Sequence, residues 1–313
     1  MTPPEPFHPE LRRARWMPRA SIGPRTTRLL RLPIPGSRRT RGVRVETVTA
    51  AGPAGDLKLR VFRPENAAGP RPALLWMHGG GLLIGAPEQD DEHNLELVRR
   101  LGIAVVAPRY RLAPEHPGPA AIDDVTAAFR AMVDGAARLG VDPERIAIGG
   151  ASAGGLLTAA LAQRLRDEGG AQPVFQLLVY PMLDDRTVLR TDIDERHVRL
   201  WTAKSNRYAW RAHLGEAAFG ERVDPYLVPA RCADLSGLPP AWIGVGSLDL
   251  FRDEDAAYRD ALRAAGVPCD WLEVPGAFHG FDALFRRAGV SREFLGAQAE
   301  ALRGGLLGGE TER

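Results

Sequence analysis

Gly150-Ala151-Ser152-Ala153-Gly154 sets one serine in a run where every neighbour from position 149 to 155 is glycine or alanine. A nucleophile carried on a sharp strand-to-helix turn takes a strained backbone conformation, and only small flanking residues leave room for it. The short apolar stretch 146–148 predicts a strand before the turn, and 155–166 predicts a helix after it. Such a helix aims the free N–H groups of its first turn at the serine. A glycine-rich turn with an incidental serine is the plainer reading, and the strand–turn–helix setting weighs against it. A second run, His78-Gly79-Gly80-Gly81, follows the predicted strand 73–77. Consecutive glycines let backbone N–H groups face a ligand, as the oxyanion of an acyl transfer requires. A phosphate cradle is the rival, but no G-K-[ST] follows. His78 itself is expected to brace the loop.

A nucleophilic serine needs a base, and the base needs an orienting carboxylate. Of seven histidines, His8 lies in an irregular arm, His93 in a polar stretch, His116 between prolines, and His197 and His213 in a polar insertion. His279, in Gly276-Ala277-Phe278-His279-Gly280-Phe281, directly follows the last predicted strand, 269–274. Loops at the C-terminal ends of parallel strands are where such sheets place function. The acid then belongs after the preceding strand, where Asp249 stands. Asp253 and Glu254 are rivals, read as first-turn charges of a helix over 255–265. The order Ser152, Asp249, His279 is the one expected of an α/β-hydrolase.

The elements that must position these residues are legible as a rhythm. Stretches 43–49 and 57–62 alternate like a hairpin turning at 52–55. Apolar runs at 73–77, 103–107, 146–148, 174–180 and 242–245 are too short for helices. Helix-period segments lie between them at 94–101, 122–139, 155–166 and 255–265, with a closing helix at 293–302. Short buried strands alternating with helices imply a mainly parallel sheet covered on both faces. Residues 184–226 break the pattern: polar, rich in Asp and Arg, with Trp201, Tyr208 and Trp210 close together. An excursion of this kind is expected to be an insertion on one face, as in a lid.

The motifs together resemble the hormone-sensitive lipase-like family of α/β-hydrolases, in its bacterial carboxylesterase branch. The resemblance spans residues 43–303 and includes Tyr110-Arg111-Leu112-Ala113-Pro114-Glu115-His116-Pro117. It implies an eight-stranded, mostly parallel sheet flanked by helices, with a helical cap. The catalytic domain would be 43–183 with 227–313, capped by the arm 1–42 and the insertion 184–226. It implies Ser152, Asp249 and His279 as the triad and the N–H groups of Gly80, Gly81 and Ala153 as the oxyanion hole. Leu82, Trp201, Tyr208 and Trp210 are candidate substrate-binding residues, with cap packing an equal reading of the three aromatics. The family commonly has Asp where this chain has Ala151, outside the triad. Segment 110–117 and Asp123-Asp124 read as structural: a shaped loop, then helix-start carboxylates.

The implied activity is hydrolysis of short-chain carboxylic esters through an acyl-enzyme, with no metal and no cofactor. Lactonases, amidases and deacetylases use the same chemistry and stay open as alternatives. A ligand receptor of this fold would lack the catalytic histidine, which is present here as His279. A true lipase would need a strongly apolar lid.

Composition bounds the rest. The 313 residues are 44% hydrophobic and 26% charged, ordinary for a globular chain and against fibrous or disordered classes. No apolar run approaches the ~20 residues of a membrane span. Two cysteines, Cys232 and Cys269, exclude a disulfide framework and a four-cysteine metal site. Residues 1–44 carry eleven Arg and two Glu, yet the basic residues of the whole chain are nearly all Arg, and the arm has only Phe7 and Trp16 as aromatics. Nucleic acid is therefore not an expected partner. Arg12-Arg13 lacks the apolar segment of an export signal. The expected setting is the cytoplasm, the expected partner a small-molecule ester, and a homodimer is compatible with both.

Overall fold

The computed structural model describes residues 6–19, 21–66 and 69–308. Residues 1–5 and 20 of the expected arm lie outside that range, as do 67, 68 and 309–313. Val43–Gly52 (β1) and Gly55–Pro64 (β2) form the expected hairpin, in register from Val43 opposite Pro64 to Gly52 opposite Gly55. The other strands are Arg71–Met77 (β3), Ala104–Pro108 (β4), Val141–Ala151 (β5), Gln176–Val179 (β6), Ala241–Gly246 (β7) and Cys269–Val274 (β8). They form one sheet in the order β1-β2-β4-β3-β5-β6-β7-β8. Only β2 runs against the rest.

The helices are Pro24–Leu30 (α1), Asp91–Leu101 (α2), Ala120–Asp134 (α3), Ala136–Leu139 (α4), Ala153–Glu168 (α5), Ala203–Leu214 (α6), Arg252–Ala264 (α7), Phe281–Leu284 (α8) and Gly289–Leu307 (α9). The helix expected over 122–139 is two. Gly135, a poor helix former, ends α3 with its N–H on the Ala131 carbonyl.

Side chains alternate across each strand, so the sheet has two buried faces. Ala73, Leu75 and Met77 of β3 join a core with α3, α5 and α7, while Leu74 and Trp76 join a second core with α2 and α9. This is why the central strands read as continuous apolar runs rather than alternating ones. Among the described residues no helix is long and apolar enough to cross a membrane.

The chain between β6 and β7 contributes no strand and holds α6 with several short 3₁₀ turns. Its charges pair locally at the surface: Arg186 with Asp184, Arg190 with Asp192, Arg196 with Asp194. Its apolar side chains Val188, Val198, Trp201 and Trp210 are buried in the first core. Arg199, in this Asp- and Arg-rich segment, is buried. Its guanidinium donates to the carbonyls of Ala14 and Val198 and lies over the Phe7 ring, so it joins the arm to this segment.

Candidate active site

Ser152 has φ 57° and ψ −118°, between the end of β5 and the first residue of α5. A non-glycine residue at positive φ is strained, and such strain persists only where the surroundings fix it. Here they do: a Cβ on Gly154 would stand 2.0 Å from the Met77 carbonyl oxygen, so β3 and α5 approach as closely as a bare backbone allows. The Ser152 N–H is held by the Val179 carbonyl at 2.9 Å and its own carbonyl accepts from Met182. The turn is clamped from both flanking strands.

His279 lies in the loop after β8, and its Nε2 is 3.0 Å from Ser152 Oγ. Its Nδ1 is 2.8 Å from Asp249 Oδ2, and Asp249 Oδ1 accepts the N–H of Phe251 at 3.0 Å. The imidazole is enclosed edge-on by Tyr180, 4.8 Å away, and Phe251, 5.1 Å away. All three polar side chains are buried. Asp253 stands apart, its carboxylate paired with Arg190 and Arg252 at the surface.

The glycine run closes the other side. A Cβ on Gly79 would touch Ser152 Cβ at 3.4 Å, which fixes how near the loop comes to Ser152. The Gly80 carbonyl accepts from Leu83 and Ile84, folding 80–84 into a tight turn. Among the described residues the N–H groups of Gly80 and Gly81 have no acceptor, and the N–H of Ala153 is one that the start of a helix leaves unspent. Gly81 has φ 62°, and a Cβ there would lie 2.1 Å from the Trp201 ring. Trp201 therefore packs directly on this loop, its Nε1 donating to Asn206. Leu82 is buried in the same turn, Trp210 is wholly buried on α6, and Tyr208 is half-buried there.

His78 braces the loop as expected. Its ring stacks on Tyr110 at 4.2 Å, its Nδ1 is 2.8 Å from the Gly79 carbonyl, and the Tyr110 hydroxyl donates to the His78 carbonyl at 2.6 Å. Burial pushes the His78 pKa down to about 4, and does the same to His213. Both histidines are thus neutral in the fold and protonate more readily once it opens. Their contribution is complete above about pH 6.5 and is lost as pH falls toward 4, roughly 3 kcal/mol for each. The urea midpoint should therefore drop between pH 7 and pH 4, and the drop should be shallower in His213→Gln; an equal drop in that variant would refute the assignment.

Two carboxylates have roles that local sequence does not reveal. Asp124, read as a helix-start charge, accepts the Arg111 backbone N–H and its guanidinium, fixing the loop after β4. Glu254, read likewise, is buried and receives the N–H of Leu183, the N–H of Asp184 and the Thr187 hydroxyl. It ties α7 to the chain leaving β6, and burial pushes its pKa well up. Asp255 is buried beside it. Only the tertiary fold brings the donors of Asp124 and Glu254 near. Among the described residues no three of His, Cys, Asp and Glu are grouped to hold a metal ion.

A strained serine on a strand-to-helix turn, a histidine between it and a buried aspartate, and a glycine loop with free N–H groups define an α/β-hydrolase site. Residues 74–283 match the family model for the alpha/beta hydrolase fold. The chain belongs to the hormone-sensitive lipase-like family of α/β-hydrolases. It is 38% identical over 269 residues to the carboxylic ester hydrolase LipN of Mycobacterium tuberculosis, covering 84% of this chain and 71% of that one. Among solved structures, a bacterial heroin esterase superposes with a TM-score of 0.86 at 35% identity, covering 96% of this chain and 98% of its own. The esterase LipW of Mycobacterium marinum superposes at 0.82 and 34% identity, covering 95% of each chain.

Proposed function

We propose that this carboxylic-ester hydrolase works as a serine carboxylesterase on short-chain, water-dissolved esters. The observation that carries the mechanism is the unbroken line Ser152–His279–Asp249, at 3.0 and 2.8 Å. Ser152 Oγ attacks the ester carbonyl while His279 Nε2 takes its proton, and Asp249 holds the imidazole in the tautomer that accepts it. The carbonyl oxygen becomes an oxyanion received by the N–H groups of Gly80, Gly81 and Ala153. His279 then returns the proton to the leaving alkoxide oxygen, releasing the alcohol. Water, deprotonated by His279, attacks the acyl-enzyme; collapse frees the acid and restores Ser152. Lactones are accommodated by the same cycle.

The arm 1–42 and the insertion 184–226 serve as the cap over a catalytic body of 43–183 and 227–313. Support comes from the bonds between them: Ser21 to Thr202, Ile22 N–H to Ser205, and Arg199 to Ala14. Leu82 and Trp201 are the pocket walls next to the oxyanion loop, with Tyr208 and Trp210 behind them. The setting is cytoplasmic, where Cys232 and Cys269, both free, stay reduced. Sedimentation velocity reads whether the protein forms the homodimer compatible with this function.

Each buried CH₂ contributes about 0.8 kcal/mol, so kcat/KM should rise with acyl length until the pocket floor is met. The bulky Trp201 set against Gly81 argues for an early floor. Across p-nitrophenyl esters the maximum should fall at about two to eight carbons. A maximum at twelve carbons or beyond, or a jump in rate as micelles form, would identify a lipase instead.

A further inference from the structure

Behind the nucleophile turn, between the sheet and the α2–α9 layer, lies a cavity of about 520 Å³ whose lining includes none of the three triad side chains. Trp76, Ala151 and Tyr180 form part of its wall, with two half-buried carboxylates, Asp90 and Asp282. The Trp76 indole donates to Asp90 at 2.8 Å and the Tyr180 hydroxyl to Asp282 at 2.9 Å. Among the described residues neither carboxylate is in an ion pair, and burial pushes both pKa values up. Exposed arginines, Arg39, Arg286, Arg287 and Arg292, line the same cavity and likewise pair with no described carboxylate. Arg286 reaches only the carbonyls of Gln89 and Ala283, and Arg292 the Arg287 carbonyl.

Two further polar atoms point to a ligand. Ser291, 3% exposed, and Gln298, 1% exposed, both line the cavity, and Ser291 Oγ and Gln298 Nε2 have no hydrogen-bond partner among the described residues. Gln298 is held in place through its Oε1, 2.9 Å from His93 Nε2, and the His93 ring lies 4.2 Å from that of Trp76. A buried polar atom without a partner costs about 1–3 kcal/mol, and a few convergent polar groups in a partly apolar hollow are what small-molecule sites present.

We propose that this cavity is a second binding site, for a small zwitterion whose ammonium group is held by Asp90 and Asp282 and whose carboxylate is held by the arginines at the mouth. Glu96 and Arg100 of the lining pair with each other, but Asp90 and Asp282 and the four other arginines face one hollow without an ion pair among the described residues, so a ligand carrying both signs satisfies both sets. A simple anion would face the two carboxylates, and a simple cation would face the arginine rim. Trp76 and Tyr180 add aromatic surface for the ammonium end, while guanidinium groups match a carboxylate in two-pronged fashion.

Calorimetric titration of the Ser152→Ala chain tests this without drawing on the esterase reaction. The probes are 4-aminobutanoate and 6-aminohexanoate, with hexanoate and hexylamine as single-charge controls. One amino acid should saturate the protein below about 1 mM, and Asp90→Asn and Arg287→Ala should each weaken it about tenfold, some 1.4 kcal/mol. The first substitution keeps an amide oxygen for the Trp76 indole, and Arg287 is exposed, so the second variant carries the test should the first not fold. The proposal is overturned if neither amino acid saturates by about 20 mM, leaving a hollow filled by water alone. It also fails if hexanoate or hexylamine binds as tightly as 6-aminohexanoate, or if Arg287→Ala binds unchanged.

Discussion

Ser152→Ala should lower kcat by on the order of 10⁴–10⁶ while the protein stays folded. The loss is large because His279 has no other hydroxyl within hydrogen-bond reach in the described structure, and the oxyanion N–H groups cannot act without an attacking atom. What activity remains would come from binding and oxyanion stabilisation of direct water attack. Folding should be spared because Ser152 Oγ bonds only to His279, while the strained turn is held by backbone groups of Val179 and Met182. Activity and thermal melting measured on the same preparation separate the two effects. Mass mapping after organophosphate treatment supplies the independent check: the label must fall on Ser152, and a label on any other serine would refute the nucleophile.

Asp249→Asn should cost about 10⁴ in kcat. An asparagine amide turned toward Nδ1 donates a hydrogen there and drives the ring proton to Nε2, where it faces Ser152 and blocks proton transfer. The Phe251 N–H can still be accepted by the amide oxygen, so the local turn survives. Asp253→Asn should leave most activity, since its partners Arg190 and Arg252 are surface groups whose pairs contribute little. Equal losses from the two substitutions would sink the assignment of Asp249.

What could be read without coordinates was whatever neighbours in sequence determine. The β8 bounds were legible in a short stretch ended by Pro275 and Gly276, and the order Ser152, Asp249, His279 in chemistry that must sit at the C-terminal ends of strands. Boundaries slipped where backbone geometry overrides hydrophobicity: α5 begins at Ala153, two residues early, because the strained serine caps it directly. Asp124, Glu254 and Arg199 looked like solvated charges because their partners lie on distant segments, as with Glu254 and Leu183 or Arg199 and Ala14. The cavity behind Ala151 was invisible for the same reason. Its residues come from the chain around 39, 76–100, 151, 179–180 and 282–298, and no window of sequence holds them together.

The seating of the arm also has a consequence for the order in which a cell can finish this enzyme. The His8 N–H bonds to the Gly276 carbonyl, and Glu10 accepts the N–H of Val290. Residues of the arm thus dock against segments synthesised much later. At roughly 5–20 residues per second the arm waits on the order of 15–60 s for its berth. The loop bearing His279 is completed only then, so a nascent chain stalled before that loop is a hydrolase without the histidine proposed as its base. Ester hydrolysis would then wait on that loop, and products terminated before it should be silent.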